Sequence, residues 1–253
     1  MRFMKQSYVA SSADLANLTN SGKILSEVLE LMAVNAREGT NLMELEALAE
    51  TQIKKRGGQA SFKGFQGYPA ASCLSLNDAI VHGLPHDRVL VSGDVLGIDL
   101  GVVSKGWYTD AATTVAIGPV DPTIRGLIAS TKRALALAIT LVKPGIRLGV
   151  ISHAIEQIAK QDKLGIIKSL SGHGIGKHLH EPPRIPNYGK PSDGPVLVAG
   201  QVLAIEPMFS TGSGEVELGP DGWTVRCKDG FGSHHEATVL LTKTGTKVLT
   251  RLR

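Results

Sequence analysis

From Ser12 to Ala36 the apolar residues Leu15, Leu18, Leu25, Leu29 and Met32 recur at spacings built from threes and fours. That is the stripe of an amphipathic helix. Asn41 with Glu44 three positions on forms a capping pair, opening a second helix that carries Leu45, Leu48 and Ile53 and stops at Gly57-Gly58. The pattern then changes to strands. Residues 70–82 and 95–117 are rich in Val, Ile, Leu and Thr, with turn residues at Pro85 and Ser92-Gly93-Asp94 between them. The order restarts at Asp121-Pro122, where Leu127, Ile128, Thr131 and Leu135 give a helical face that Pro144-Gly145 ends, and Val150, Ala154, Ile155 and Ile158 predict a fourth helix. Strand patterns return at 202–206, 223–227 and 234–250. Helices followed by largely antiparallel strands, twice over and without a literal repeat, predict an α+β fold of two similar halves, with room for a site where they meet.

Composition narrows this picture. With 253 residues, 42% of them hydrophobic and 20% charged, the chain can bury a sizeable core and reads as one domain over 1–253. Met1 to Ala10 holds no apolar run of signal-peptide length and no later run spans a membrane, so a cytoplasmic location without a membrane partner is expected. Two cysteines, Cys73 and Cys227, are too few for a disulfide scaffold and are expected as free thiols. A formal charge of +4 suits approach to a ribosome surface. The basic residues nevertheless come in short groups such as Lys54-Lys55-Arg56 without interleaved aromatics, which predicts a solvated surface and no direct nucleic-acid function.

Candidate chemistry begins at Val95–Val102, where alternation puts Leu96, Ile98, Leu100 and Val102 on one face and Asp99, between two glycines, on the other. If Ser104-Lys105 forms a tight turn into the next strand, Asp99 and Asp110 stand opposite each other. Two carboxylates rooted roughly 5 Å apart across a ladder repel unless a cation lies between them. The segment Ser171-Gly172-His173-Gly174-Ile175-Gly176-Lys177-His178 superficially suggests a phosphate loop. It lacks the first glycine and the Ser or Thr after Lys177, and it runs into Pro182-Pro183 rather than a helix. Its glycines instead suit bringing His173 and His180 close to another group. Glu206, before Pro207, and Glu236 each end or begin strand patterns. Four carboxylates and one imidazole make an oxygen-rich set suited to two hard or borderline divalent ions. His178, His234 and His235 are expected to be structural or surface residues.

Asn77-Asp78-Ala79-Ile80-Val81-His82-Gly83-Leu84-Pro85, Gly97-Ile98-Asp99, Thr109-Asp110, Gly172-His173-Gly174-Ile175-Gly176, His180-Glu181-Pro182, Ile205-Glu206-Pro207-Met208 and His235-Glu236-Ala237-Thr238 occur in this order nearly end to end. Together they resemble the type I methionine aminopeptidases in their short bacterial form. The resemblance implies the pita-bread fold, two pseudo-symmetric halves of antiparallel strands covered by helices. It implies two divalent ions (Co, Mn, Fe, Ni or Zn), with Asp99 chelating one, Asp110 and Glu236 bridging both, and His173 and Glu206 completing the other. A water shared by the ions would be the nucleophile, Glu206 the proton shuttle, and His82 and His180 the groups that orient substrate and stabilise the intermediate. Phe65, Tyr68, Cys73, Leu179 and Trp223 would line a methionine side-chain pocket, although by their own chemistry they serve equally as core. Two positions depart from the family pattern: Leu179, where a larger apolar residue is common, and His178, where glycine is. The expected activity is removal of initiator methionine from nascent polypeptides by a monomer. An enzyme of the same fold acting on Xaa-Pro bonds, and a non-catalytic binding protein, are the competing readings.

Overall fold

The computed structural model describes residues 6–251; the part of the signal-peptide reading that falls on Met1–Lys5 lies outside them. Helix α1 (Ser12–Asn35) starts at a capping box in which the Ser11 side chain accepts from the Asp14 N–H and the Asp14 carboxylate accepts from the Ser11 N–H. Helix α2 (Leu42–Lys55) starts at the same device, built from Asn41 and Glu44. Strands β1 (Gln59–Ala60), β2 (Ser72–Leu76), β3 (Ala79–Val81), β4 (Val95–Ser104) and β5 (Trp107–Ala116) follow. Ile24, Leu25, Val28 and Met32 of α1 bury against Leu96 and Leu100 of β4.

The β4–β5 hairpin differs from the sequence expectation. Its tight turn is Lys105-Gly106, both at positive φ (48° and 72°), the backbone that matches the twist of paired strands. Ser104 therefore pairs with Trp107, Asp99 with Ala112 and Asp110 with Gly101. Asp99 and Asp110 are diagonal neighbours rather than directly opposed. Because the partner moves by two residues and side chains alternate with period two, both carboxylates still leave the same face of the sheet.

Helix α3 (Pro122–Leu141) opens with the Asp121 carboxylate accepting from the Thr123 N–H at 2.7 Å and with proline in its first turn. After α4 (Gly149–Gln161) come β6 (Gly165–Ile166), β7 (Ser171–Gly174), β8 (Glu181–Pro186), β9 (Val202–Ile205), β10 (Met208–Ser210), β11 (Val216–Leu218), β12 (Val225–Cys227), β13 (Gly232–His234), β14 (Ala237–Leu241) and β15 (Thr246–Val248). The glycine-rich segment, to which the sequence pattern assigned no strand, begins with β7. A Cβ on Gly172 would lie 2.5 Å from the Ala204 carbonyl oxygen and one on Gly174 2.0 Å from that of Pro182, so only glycine lets β7 fit there. The prolines after it lie on β8, at the edge of the five-stranded order β15-β14-β9-β7-β8, where no ladder donor is lost. Leu127, Ile151 and Ile155 from α3 and α4 pack on Leu203, Ile205 and Val239 of this sheet. Among the described residues no helix is long and apolar enough to cross a membrane, and both cysteines are buried and unbridged.

A seam joins the two halves. The Glu236 N–H donates to the Ala112 carbonyl at 2.9 Å, and the Ala112 N–H returns to the Glu236 carbonyl at 3.4 Å. Two residues either side, threonine hydroxyls continue the ladder. The Asp110 N–H donates to Thr238 Oγ1 at 2.9 Å and Thr238 Oγ1 donates to the Asp110 carbonyl at 2.7 Å, while Thr114 Oγ1 accepts from the His234 N–H and donates to its carbonyl. Thr238→Val, which keeps the shape and removes the hydroxyl, leaves the Asp110 backbone groups buried without partners and is expected to cost about 2 kcal/mol. Urea denaturation checks this; an unchanged midpoint would show that the hydroxyl contributes nothing to the seam.

Candidate metal centre

The seam decides where the site forms. Asp99 leaves β4 and Asp110 leaves β5 in the first half. From the second half, His173 projects from β7, Glu206 follows β9 immediately before Pro207, and Glu236 occupies the break between β13 and β14. The sequence predicted a strand pattern through residues 234–250; the chain instead leaves its sheet at His235-Glu236 so that Glu236 can pair with Ala112 of β5. Asn187, buried, donates from Nδ2 to the Glu206 carbonyl at 2.9 Å and fixes the backbone at that corner.

Five side chains far apart in the chain come together here. Donor atoms of Asp99, Asp110 and Glu236 lie within 4.8 Å of one another, as do those of His173, Glu206 and Glu236, and those of Asp110, His173 and His180. His173 Nε2 is 3.6 Å from Glu206 Oε1 and 4.0 Å from Asp110 Oδ2. Its Nδ1 stands 2.9 Å from the Gly174 carbonyl oxygen, to which it donates, so the proton sits on Nδ1 and Nε2 turns a lone pair toward the carboxylates.

The electrostatics call for cations. Burial pushes Asp99 up to about 6 and raises Asp110, Glu206 and Glu236 well above the ordinary carboxylate range; neighbouring carboxylates add to the rise at Asp110 and Glu236. Burial also brings His173 down to about 3, helped by the nearby His180 ring, and keeps its imidazole neutral. Asp99 Oδ1, Asp110 Oδ1 and Glu236 Oε1 are buried without a hydrogen-bond partner among the described residues. Among the described residues no Lys or Arg lines the cavity to neutralise them. Four buried carboxylates, three of them with orphaned oxygens, one imidazole with a free lone pair and no basic side chain fit divalent ions.

The cluster forms the floor of a cavity of about 270 Å³. Phe65, Tyr68, Cys73, Leu179 and Trp223 are in its wall, together with His82 and His180. The Tyr68 and Trp223 rings meet edge to face at 5.2 Å, and Phe65 meets the His180 ring in the same way at 5.2 Å. Burial raises the Cys73 thiol and keeps it neutral. His82, just beyond β3, holds a left-handed backbone (φ 58°), a conformation costing about 1 kcal/mol that a surrounding structure must enforce. The following Gly83 packs so closely that a Cβ would lie 2.4 Å from the Leu74 carbonyl oxygen. The fold therefore fixes His82 at the cavity. His180 is held through its neighbour: the Glu181 carboxylate accepts from the Ser7 N–H (2.6 Å) and hydroxyl (2.7 Å) and from the Lys177 and His178 N–H groups (both 2.9 Å). Glu181 thus has the geometry of a positioning residue, a role the sequence pattern did not assign it. Burial lowers His82 and brings His180 to about 4, so both imidazoles face the cavity neutral.

His234 is not superficial. Expected to be structural or superficial, it is buried in the cavity wall with Nε2 3.4 Å from Glu206 Oε2 and 3.8 Å from Glu236 Oε2. The signal was present, since a strand that turns Glu236 inward also turns residue 234 inward. His235, on the opposite face, is buried beside Thr113 Oγ1 at 3.5 Å from Nδ1. His178 lies outside this cavity with its side chain 57% exposed, so the departure at that position leaves the site untouched.

A two-half α+β fold with a buried carboxylate and imidazole cluster at its junction is the architecture of a metal-dependent hydrolase. Residues 16–243 match Metallopeptidase family M24, and the chain belongs to that family. Methionine aminopeptidase 1 of Bacillus subtilis is 39% identical over 240 residues, covering 94% of this chain and 97% of that protein. A crystal structure of methionine aminopeptidase from Thermotoga maritima superposes with a TM-score of 0.95 at 37% identity, over 97% of this chain and 99% of that one. Prolidase from Pyrococcus furiosus, 24% identical with a TM-score of 0.80 over 98% of this chain and 66% of its own, shares the fold alone. The fold is the pita-bread fold expected from the motifs.

Proposed function

We propose that this metallopeptidase is a methionine aminopeptidase that removes the initiator methionine from nascent polypeptides in the cytoplasm. The observation carrying the reading is the pair of donor triads, Asp99-Asp110-Glu236 and His173-Glu206-Glu236, that share one carboxylate at the floor of a small, largely apolar cavity. This sharing favours two divalent ions, which Asp99, Asp110, His173, Glu206 and Glu236 would hold. Such ions, when bound, lower the pKa of a water and polarise the scissile carbonyl.

The chain's own groups perform the rest. Phe65, Tyr68, Cys73, Leu179 and Trp223 take the thioether side chain, for which aromatic edges and a neutral thiol are favourable neighbours. A cavity of about 270 Å³ has the size for one side chain of the substrate. His82 and His180, both neutral, can donate N–H groups to the carbonyl oxygen as negative charge develops on it. Glu206, whose burial raises its proton affinity, takes a proton and delivers it to the leaving amine. The ribosome, as the source of nascent chains, and a monomeric state complete the proposal.

Release from a Met-Ala peptide and an Ala-Pro peptide separates this activity from that of the prolidase-like enzymes. The expected kcat/KM ratio is roughly a hundred in favour of the methionyl peptide, the discrimination a side-chain pocket provides. Preference for Ala-Pro would overturn the assignment. Cleavage of neither peptide by folded, metal-supplied protein would favour a binding protein that kept the fold.

A further inference from the structure

The Glu206 carboxylate stands between two imidazoles. Its Oε1 faces His173 Nε2 at 3.6 Å, and its Oε2 faces His234 Nε2 at 3.4 Å. His234 Nε2 is also 3.8 Å from Glu236 Oε2, so it addresses the same two carboxylates as His173 at similar range. This nitrogen is buried and has no hydrogen-bond partner among the described residues. The approach to Glu206 is close enough for a hydrogen bond yet is not one, which means that the nitrogen points beside the carboxylate rather than at it. Two donors sharing a tetrahedral ion at about 2.0–2.1 Å are separated by about 3.3 Å, close to the spacing seen here. The neighbouring His235 cannot take this part, because it leaves the opposite face toward Thr113.

We propose that His234 Nε2 is a further donor to the metal centre, adding a second imidazole on the side formed by His173, Glu206 and Glu236. The inference rests on the reading of this cluster as a metal site and goes beyond the five ligands that the motifs implied. Its chemical consequence is a shift in metal preference. One nitrogen among four carboxylates suits hard ions such as Mn; a second imidazole moves the site toward borderline ions, Co, Ni and Zn, along the order of increasing affinity for nitrogen ligands. A histidine that only donated a hydrogen bond to Glu206 would be replaceable by glutamine, whose amide donates equally well, whereas an imidazole ligand would not.

Two measurements on the whole protein decide this. In crystals loaded with Zn or Co, His234 Nε2 is expected at bonding distance from a metal, about 2.0–2.1 Å. A separation near 3 Å or more, with the imidazole N–H directed at Glu206, would overturn the proposal. In solution, His234→Gln is expected to weaken the Zn and Co dissociation constants at least tenfold, read by competition with a chromophoric chelator, and to change that for Mn far less. Unchanged Zn affinity in a folded variant would also overturn it. Should the variant fail to fold, the metal-loaded wild-type crystal still gives the answer. Metal ligated by His173 and not by His234 sinks this inference alone; no metal on any of the five other ligands sinks the underlying site as well.

Discussion

Replacing Asp110 by Asn is expected to lower kcat/KM by roughly a thousandfold, in line with removing a group that organises charge at the reacting centre. The substitution keeps the side-chain shape and leaves the Asp110 backbone bonds to Thr238 intact, so the seam between the halves should survive. What it removes is a negative charge from a group within 4.8 Å of Asp99 and Glu236 on one side and of His173 and His180 on the other. An amide is a weaker ligand for divalent ions, so metal content should fall with activity. The metal-free protein should respond in the opposite sense. Burial and the neighbouring Asp99 make an ionised Asp110 unfavourable in the folded chain, and a neutral amide relieves that cost, so the metal-free variant is expected to melt above metal-free wild type. A variant that loses activity and also melts lower without metal would place Asp110 in the scaffold instead of the metal site. Wild-type turnover would remove it from both.

The opposite signs in that experiment follow from how the site is made, and the same construction explains what could be read in the sequence. Helices α1 to α4 were legible because their apolar periodicity and their caps, Asn41 with Glu44 and Asp121 before Pro122, are local signals. The aspartate pair was legible as a pair but not in its register. Choosing between turns at Ser104-Lys105 and Lys105-Gly106 depends on which residue takes positive φ, and the glycine at 106 settles it in favour of the second. Since that choice moved the register by two positions, the inference that both carboxylates share a face was preserved. β7 was not legible. Glycines at 172 and 174 look like a loop until their neighbours are known, and the reason for them is the close approach of Ala204 and Pro182, contacts made with residues distant in the chain. His234 was hidden for a similar reason. A histidine pair gives no indication of which ring turns inward unless the direction of Glu236 is used to fix it, and the seam with Ala112 and Thr114 that sets this direction is tertiary.

Stripping the metal should reverse how the stability of the protein depends on pH on the alkaline side of the ordinary histidine titration. Two sets of buried groups act with opposite signs. Burial holds histidines 82, 173, 180, 234 and 235 below the ordinary imidazole range in the fold, so they destabilise it as pH falls through that range and are neutral in both states about one unit above it. The carboxylates of Asp110, Glu206 and Glu236 are raised well above their ordinary values. For an acid raised in the folded state, the native chain holds more protons than the unfolded one, and stability falls as pH rises toward the folded value. Above about pH 7.5, one unit beyond the ordinary imidazole value, the histidine contribution has largely ended and the carboxylates act alone. Each one protonated in the fold and ionised in the unfolded chain costs about 1.4 kcal/mol per pH unit, equivalent to roughly 3–6 °C in Tm for a chain of this size. With saturating divalent ions the carboxylates are ionised in the native state too, and ligand affinity grows as competing protons leave, so the Tm of the loaded protein should stay level or rise over the same range. The measurement is a pair of melting series, one in chelator and one in metal, in which the gap between the curves is expected to widen steadily toward pH 8. Parallel curves would mean that these carboxylates are already ionised and compensated without cations, and the electrostatic case for a metal centre would fail with them.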